Sequence, residues 1–206
     1  MCNKFGFNAP LHKLVEMFAS LQIDFETDGL PNFPGLEEIR PTDLAPVVRR
    51  EGEDAVRLDQ MRWGFAPGRP KAGPVINYRA EGRTFSTGRC LVPATHFFEF
   101  TGAKYPKTQW RFTAADGGLF AIAGLWRPGE GKGGEGEGGD RFTLLTIDAG
   151  PDVAPYHDRQ IVPLAPAAWA AWLDPTTDGQ SFLQPGPAGA LAVAQTEKGA
   201  AGLFQE

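Results

Sequence analysis

The run Arg89-Cys90-Leu91-Val92-Pro93-Ala94-Thr95-His96-Phe97-Phe98-Glu99-Phe100 is dense in apolar and aromatic residues. After the turn at Gly88-Arg89 it reads as buried strand, first Cys90–Ala94 and then Phe97–Phe100. Glu99 lies inside it, flanked by two phenylalanines. Carboxylates are almost never fully buried without a partner. Either the strand alternation sends Glu99 to an exposed face, or the side chain points into a functional cleft with a raised pKa.

Reading outward toward the C-terminus, Trp110 and Phe112, then Phe120, Ile122 and Gly124, alternate as two more strands around the turn Asp116-Gly117-Gly118. Residues 128–140 are Gly/Glu-rich and read as a flexible exposed loop insertion. Phe142–Asp148 is a further strand, and Pro166–Leu173 a short helix with proline in its first turn. Toward the N-terminus, Val75–Glu81 and Pro46–Arg50 are strand-like. Val56 and Leu58 are out of phase by one residue with Met61 and Trp63, which predicts a bulged strand. Asp28-Gly29 with Pro31 and Pro34 marks a loop, Leu11, Leu14, Val15 and Phe18 form one amphipathic helix, and Phe5 and Phe7 alternate in a short strand. One strand at Ala190–Val193 precedes a disposable tail.

With 206 residues, 42 % hydrophobic and 22 % charged, the chain is long enough for one well-packed domain. Its 26 glycines and 18 prolines favour short strands and many turns over a helical bundle. Two cysteines and no signal-peptide pattern predict a reducing, cytoplasmic setting. No apolar run approaches the roughly 18 residues of a membrane helix, so no membrane association is expected. A net charge of -5 requires any nucleic-acid role to rest on a local basic patch. The three histidines and two cysteines never fall at ligand spacing, and neither a phosphate-binding glycine loop nor a G-x-S-x-G elbow occurs. No metal or cofactor is expected.

Cys2 follows the initiator methionine. With Met1 removed, that residue carries an α-amine and a thiol two carbons apart. Such a 1,2-aminothiol condenses with an aldehyde to an imine, and the thiol then closes a five-membered thiazolidine in an intramolecular step. An α-amine with a pKa near 8 leaves roughly 10–20 % neutral at pH 7. The neighbouring Phe5/Phe7 strand places this terminus in a sheet, which counts against an incidental thiol on a frayed end. Asn77, Glu99 and His157, each in or beside a predicted strand, complete the candidate set, although each also has an ordinary reading as a turn or capping residue.

Seven blocks carry a resemblance: Met1-Cys2, Ile39-Arg40-Pro41-Thr42, Met61-Arg62-Trp63-Gly64, Asn77-Tyr78-Arg79-Ala80-Glu81, the Arg89–Phe100 run, Ala123-Gly124-Leu125-Trp126 and Ala154-Pro155-Tyr156-His157-Asp158-Arg159. In this order they resemble the SOS response-associated peptidase family of abasic site processing proteins. The resemblance implies a single α+β domain built on a curved, mostly antiparallel sheet with a few short helices, over residues 1–195, followed by a tail at 196–206. It implies a monomer that binds single-stranded DNA containing abasic sites and crosslinks to them reversibly through mature Cys2. By the same resemblance Asn77 orients the adduct, Glu99 transfers protons in imine formation and reversal, and His157 assists sugar-ring opening. Lys4, Arg79, either Arg83 or Arg89, and Arg159 are expected along the phosphates, with Trp63 and Pro41 against the bases. Lys4 stands where the family carries arginine; it keeps the charge and loses the bidentate fork. Autopeptidase and lyase-type activity are expected beside the crosslinking. The rival readings are a cysteine peptidase, whose minimal form removes its own Met1, and a non-catalytic single-strand binder.

Overall fold

The computed structural model describes residues 2–21, 23–26, 35–52, 55–103, 106–129 and 139–196. The loop expected at Asp28–Pro34, most of the Gly/Glu-rich insertion and the tail beyond 196 lie outside them.

The first half of the chain forms β1 (Phe5–Phe7), α1 (Leu11–Ser20), β2 (Asp24–Glu26), β3 (Leu36–Ile39), β4 (Leu44–Glu51), β5 (Ala55–Trp63), β6 (Asn77–Arg79) and β7 (Arg89–Ala94). The second half adds β8 (His96–Thr101), β9 (Thr108–Ala114), β10 (Phe120–Arg127), β11 (Arg141–Asp148), β12 (Arg159–Ile161), β13 (Pro163–Leu164), α2 (Trp169–Leu173) and β14 (Leu191–Thr196). The α+β class and the mostly antiparallel pairing are as expected, with the strands divided between two sheets. One runs β14-β9-β8-β1-β3 and the other β12-β11-β10-β7-β4-β5-β2. In the larger sheet β11 also pairs in parallel with β5, Phe142 opposite Trp63, so that β11, β10, β7, β4 and β5 close on themselves.

Aromatic contacts join the sheets. Phe5 of β1 meets Trp63 of β5 edge-on at 5.0 Å, and Phe97 of β8 meets Phe120 of β10 at 6.4 Å. Edge-to-face pairs of this kind add about 0.5–1.5 kcal/mol to the burial of the rings themselves. On α1, Leu14 and Phe18 are the buried residues, and Phe18 lies 5.0 Å from Trp169 of α2. Trp172 of α2 donates its indole N–H to the Cys90 carbonyl at 2.8 Å, fixing the helix to β7.

Two local expectations are corrected. The β4–β5 register runs without a break from Leu44 opposite Arg62 to Glu51 opposite Ala55, so β5 has no bulge. Val56 and Leu58 take one face, Met61 and Trp63 the other, and all four are buried. Both faces of β5 are covered, which is why its apolar residues occur in both phases. The turn at Asp116-Gly117-Gly118 does not close a hairpin either. It carries the chain from β9 in one sheet to β10 in the other.

Candidate active site

Residue-by-residue alternation on β8 decides the fate of Glu99. Phe97 packs on Phe112 in a stack at 4.8 Å, and Glu99 lies opposite Trp110 in the β8–β9 pair. Glu99 is 1 % exposed, so the side chain points inward. Burial, with the charge of Asp158 adding to it, raises this carboxyl to about 7. At neutral pH it is therefore both a proton donor and a proton acceptor.

The β1 strand delivers Cys2 to the same region. Its side chain is 1 % exposed, and the thiol donates to the Lys4 carbonyl at 3.3 Å. Burial, and then the nearby Glu99 charge, push the thiol up to about 12, so the sulfur is held as S–H. Asn77 Nδ2 donates to the Cys2 carbonyl at 2.7 Å. A carbonyl only accepts, which settles the orientation of the Asn77 amide. That leaves Asn77 Oδ1 buried and, among the described residues, without a donor. Asn77 is placed by β6, which pairs in parallel with β11 through Leu144.

His157 follows a turn anchored by Tyr156, whose ring lies 4.6 Å from Trp110, directly across from Glu99. Its Nδ1 accepts the Arg159 amide N–H at 2.9 Å and lies 2.7 Å from Asp158 Oδ1. Burial holds its pKa below the usual imidazole value, which keeps the ring neutral near pH 7. Of the four candidate residues, Asn77 and Glu99 thus act directly on Cys2, by contact and by charge, and the Asp158 beside His157 acts on Glu99.

The expected DNA-contacting residues divide. Pro41 lines a groove of about 340 Å³ together with Asn3, Lys4, Arg40, Phe100 and Gln109. The turn that carries Pro41 has Thr42 at a φ of 77°, a strained value for a β-branched residue. Arg79 and Arg83 are exposed, Arg83 resting over the Tyr78 ring at 4.7 Å. The others make their contacts within the protein, Lys4 doing so at the wall of that groove, so they form no single open basic patch. Trp63 is 0 % exposed and donates to the Ile76 carbonyl, leaving no face for a base. Arg89 is buried over Trp172 and bonds the Thr177 and Asp174 carbonyls. Lys4 is nearly buried, lying over Phe98 at 4.3 Å and bonded to Glu38 at 2.8 Å and Gln109 at 2.5 Å. Arg159 is clamped by Glu81, Asp148 and Thr146.

Sequence reading missed Glu38 and Gln109 as partners of Lys4, because sheet pairing alone brings them together across long separations. It also passed over Glu81, although that residue stands in the Asn77–Glu81 block. Among the described residues no group of acidic, cysteine and histidine side chains is arranged to hold a metal. No described helix is long and apolar enough to cross a membrane.

Comparison with solved structures finds the same fold in a protein from Bordetella bronchiseptica, with a TM-score of 0.72 and 26 % identity over 95 % of this chain and 100 % of that one. A protein from Bacteroides thetaiotaomicron superposes with a TM-score of 0.75 at 17 % identity, covering 96 % of this chain and 93 % of its own. Among curated proteins, the abasic site processing protein YedK of Escherichia coli is 28 % identical over 192 residues, 87 % of this chain and 82 % of its own length. The abasic site processing protein YMR114C of Saccharomyces cerevisiae is 26 % identical over 158 residues, and this alignment spans 69 % of the present chain and 41 % of the yeast one. The family model described as SOS response associated peptidase matches residues 1–199, and the chain belongs to that family.

Proposed function

We propose that this protein, once Met1 is removed, captures abasic sites in single-stranded DNA as a reversible thiazolidine on Cys2. The α-amine adds to the ring-opened sugar aldehyde, the carbinolamine loses water to give an imine, and the sulfur adds to the imine carbon as its proton passes to nitrogen. Asn77 holds the Cys2 carbonyl and offers Oδ1 to the substrate. Glu99 supplies the proton for dehydration and takes it back on reversal, while His157 serves the opening of the sugar hemiacetal. The observation that carries this reading is that Cys2 is buried with its carbonyl held by Asn77 at 2.7 Å and its thiol within the field of the buried Glu99 carboxyl. The two relatives named as abasic site processing proteins support the substrate class.

A thiol near 12 favours amine-first chemistry over a thiolate nucleophile, which stands against a general cysteine peptidase. Release of Met1 requires one turnover only and fits the same site. The test is a denaturing gel with an abasic single-stranded oligonucleotide. The wild-type protein shifts to a covalent band that disappears on prolonged exchange with competing aldehyde. A Cys2→Ala protein that crosslinks as well as wild type ends the proposal.

A further inference from the structure

His157 Nδ1 faces two groups with opposite demands. The Arg159 amide N–H donates to it at 2.9 Å and requires an unprotonated Nδ1, which puts the ring proton on Nε2. Asp158 Oδ1, 2.7 Å away, accepts and favours a proton on Nδ1 instead. Asp158 is 88 % exposed at its side chain, so water competes with the ring for its carboxylate and the chain is free to turn outward. The Arg159 amide has no such freedom. Its residue begins β12 opposite Asp148, and its guanidinium is tied down from three directions. Nη1 reaches Glu81 Oε1 at 2.7 Å and Asp148 Oδ1 at 2.8 Å. Nη2 reaches Glu81 Oε2 at 2.9 Å and the Thr146 carbonyl at 2.8 Å.

Glu81 lies four residues after Asn77, on the segment whose Ala80 amide also bonds the Thr146 carbonyl. The Glu81–Arg159 fork therefore joins the strand that presents Asn77 to the turn that presents His157. Two parallel N–H···O bonds from a planar guanidinium to one carboxylate fix direction as well as distance.

We infer that Glu81 and Arg159 form a positioning pair, which holds the Arg159 amide against His157 Nδ1 and so keeps the Nε2–H tautomer as the form presented to the substrate. Neither residue touches the reacting atoms. This inference deepens the crosslinking reading above and rests on it for the role of His157, but the tautomer itself is measurable without any DNA.

The test uses the mature full-length protein with ¹⁵N-labelled histidine. Long-range ¹H–¹⁵N spectra above the titration of the ring are expected to show His157 in wild type as a single Nε2–H tautomer. In Glu81→Ala, and in Arg159→Lys, which keeps the charge but loses the fork, at least a third of the ring shifts to the Nδ1–H form. The limiting rate of crosslinking falls about tenfold in both, while in Glu81→Ala the strand concentration giving half that rate moves less than twofold. Glu81→Gln, which keeps one acceptor in place, recovers part of both effects. Melting curves confirm that whichever variant is compared remains folded, and either variant alone suffices. An unchanged tautomer overturns the inference, and so does a shifted tautomer with an unchanged rate. Failure of wild type to crosslink sinks the proposed function, and the spectra then still decide whether the pair sets the tautomer.

Discussion

Glu99 shows how one side chain trades stability for reactivity. A carboxyl at about 7 is roughly half protonated under neutral conditions, where an exposed glutamate is almost wholly ionised. Because the folded carboxyl keeps its proton to higher pH than the unfolded one, the stability this contributes is complete below the unfolded value and is lost as pH rises through about 7. Glu99→Gln is accordingly expected to raise the melting temperature at pH 8, by up to about 3 kcal/mol of stability, with the advantage shrinking toward pH 4. The same change is expected to slow crosslinking about a hundredfold, the usual range for losing a general acid. Trp63 gives the opposite case. Its ring is enclosed by Phe5 and Phe142. Trp63→Ala should cost about 3–5 kcal/mol by creating a cavity, and Trp63→Phe, which stays folded, should bind an intact strand within about twofold of wild type in an anisotropy titration.

At the scale of elements, β1 is the narrow member between β8 and β3, and Gly6 is the residue that lets it fit. A Cβ at Gly6 would run into the Glu37 carbonyl and the His96 ring. Gly6→Ala should therefore push β1 off its neighbours, costing at least the 1–3 kcal/mol typical of overpacking, and should lower crosslinking because Cys2 rides on the same segment. Calorimetry and the gel assay report the two effects together. The apolar runs made most strands and α1 legible in the sequence, since periodicity follows directly from which face is covered. Partnership was not legible. Nothing local in Val56–Trp63 distinguishes a bulge from a strand buried on both faces, and nothing in Asp116-Gly117-Gly118 distinguishes a hairpin from a crossing between sheets. The same limit applied to the site. Cys2, Asn77, Glu99 and His157 could be nominated from chemistry and from a resemblance, whereas Lys4 and Arg159 looked like phosphate ligands until pairing across the sheets supplied Glu38 and Glu81.

For the whole molecule, a charge of -5 with Lys4, Arg89 and Arg159 engaged internally leaves Arg79 and Arg83 exposed among the cations expected at the phosphates. Two phosphate contacts on a single strand correspond to a slope of about -1.4 in log affinity against log salt. A measured slope beyond about -5 would mean that the internally paired cations exchange their carboxylates for phosphates on binding. The closure of β5 against β11 has a kinetic consequence. These two segments are separated along the chain by everything from β6 to β10, so their union forfeits far more chain freedom than any neighbouring hairpin, and contacts of that kind form late and slowly. Asn77 reaches its place only through β6 lying along β11. On the proposed reading, a newly made chain thus completes the surroundings of Cys2, Asn77 among them, only at the end of maturation.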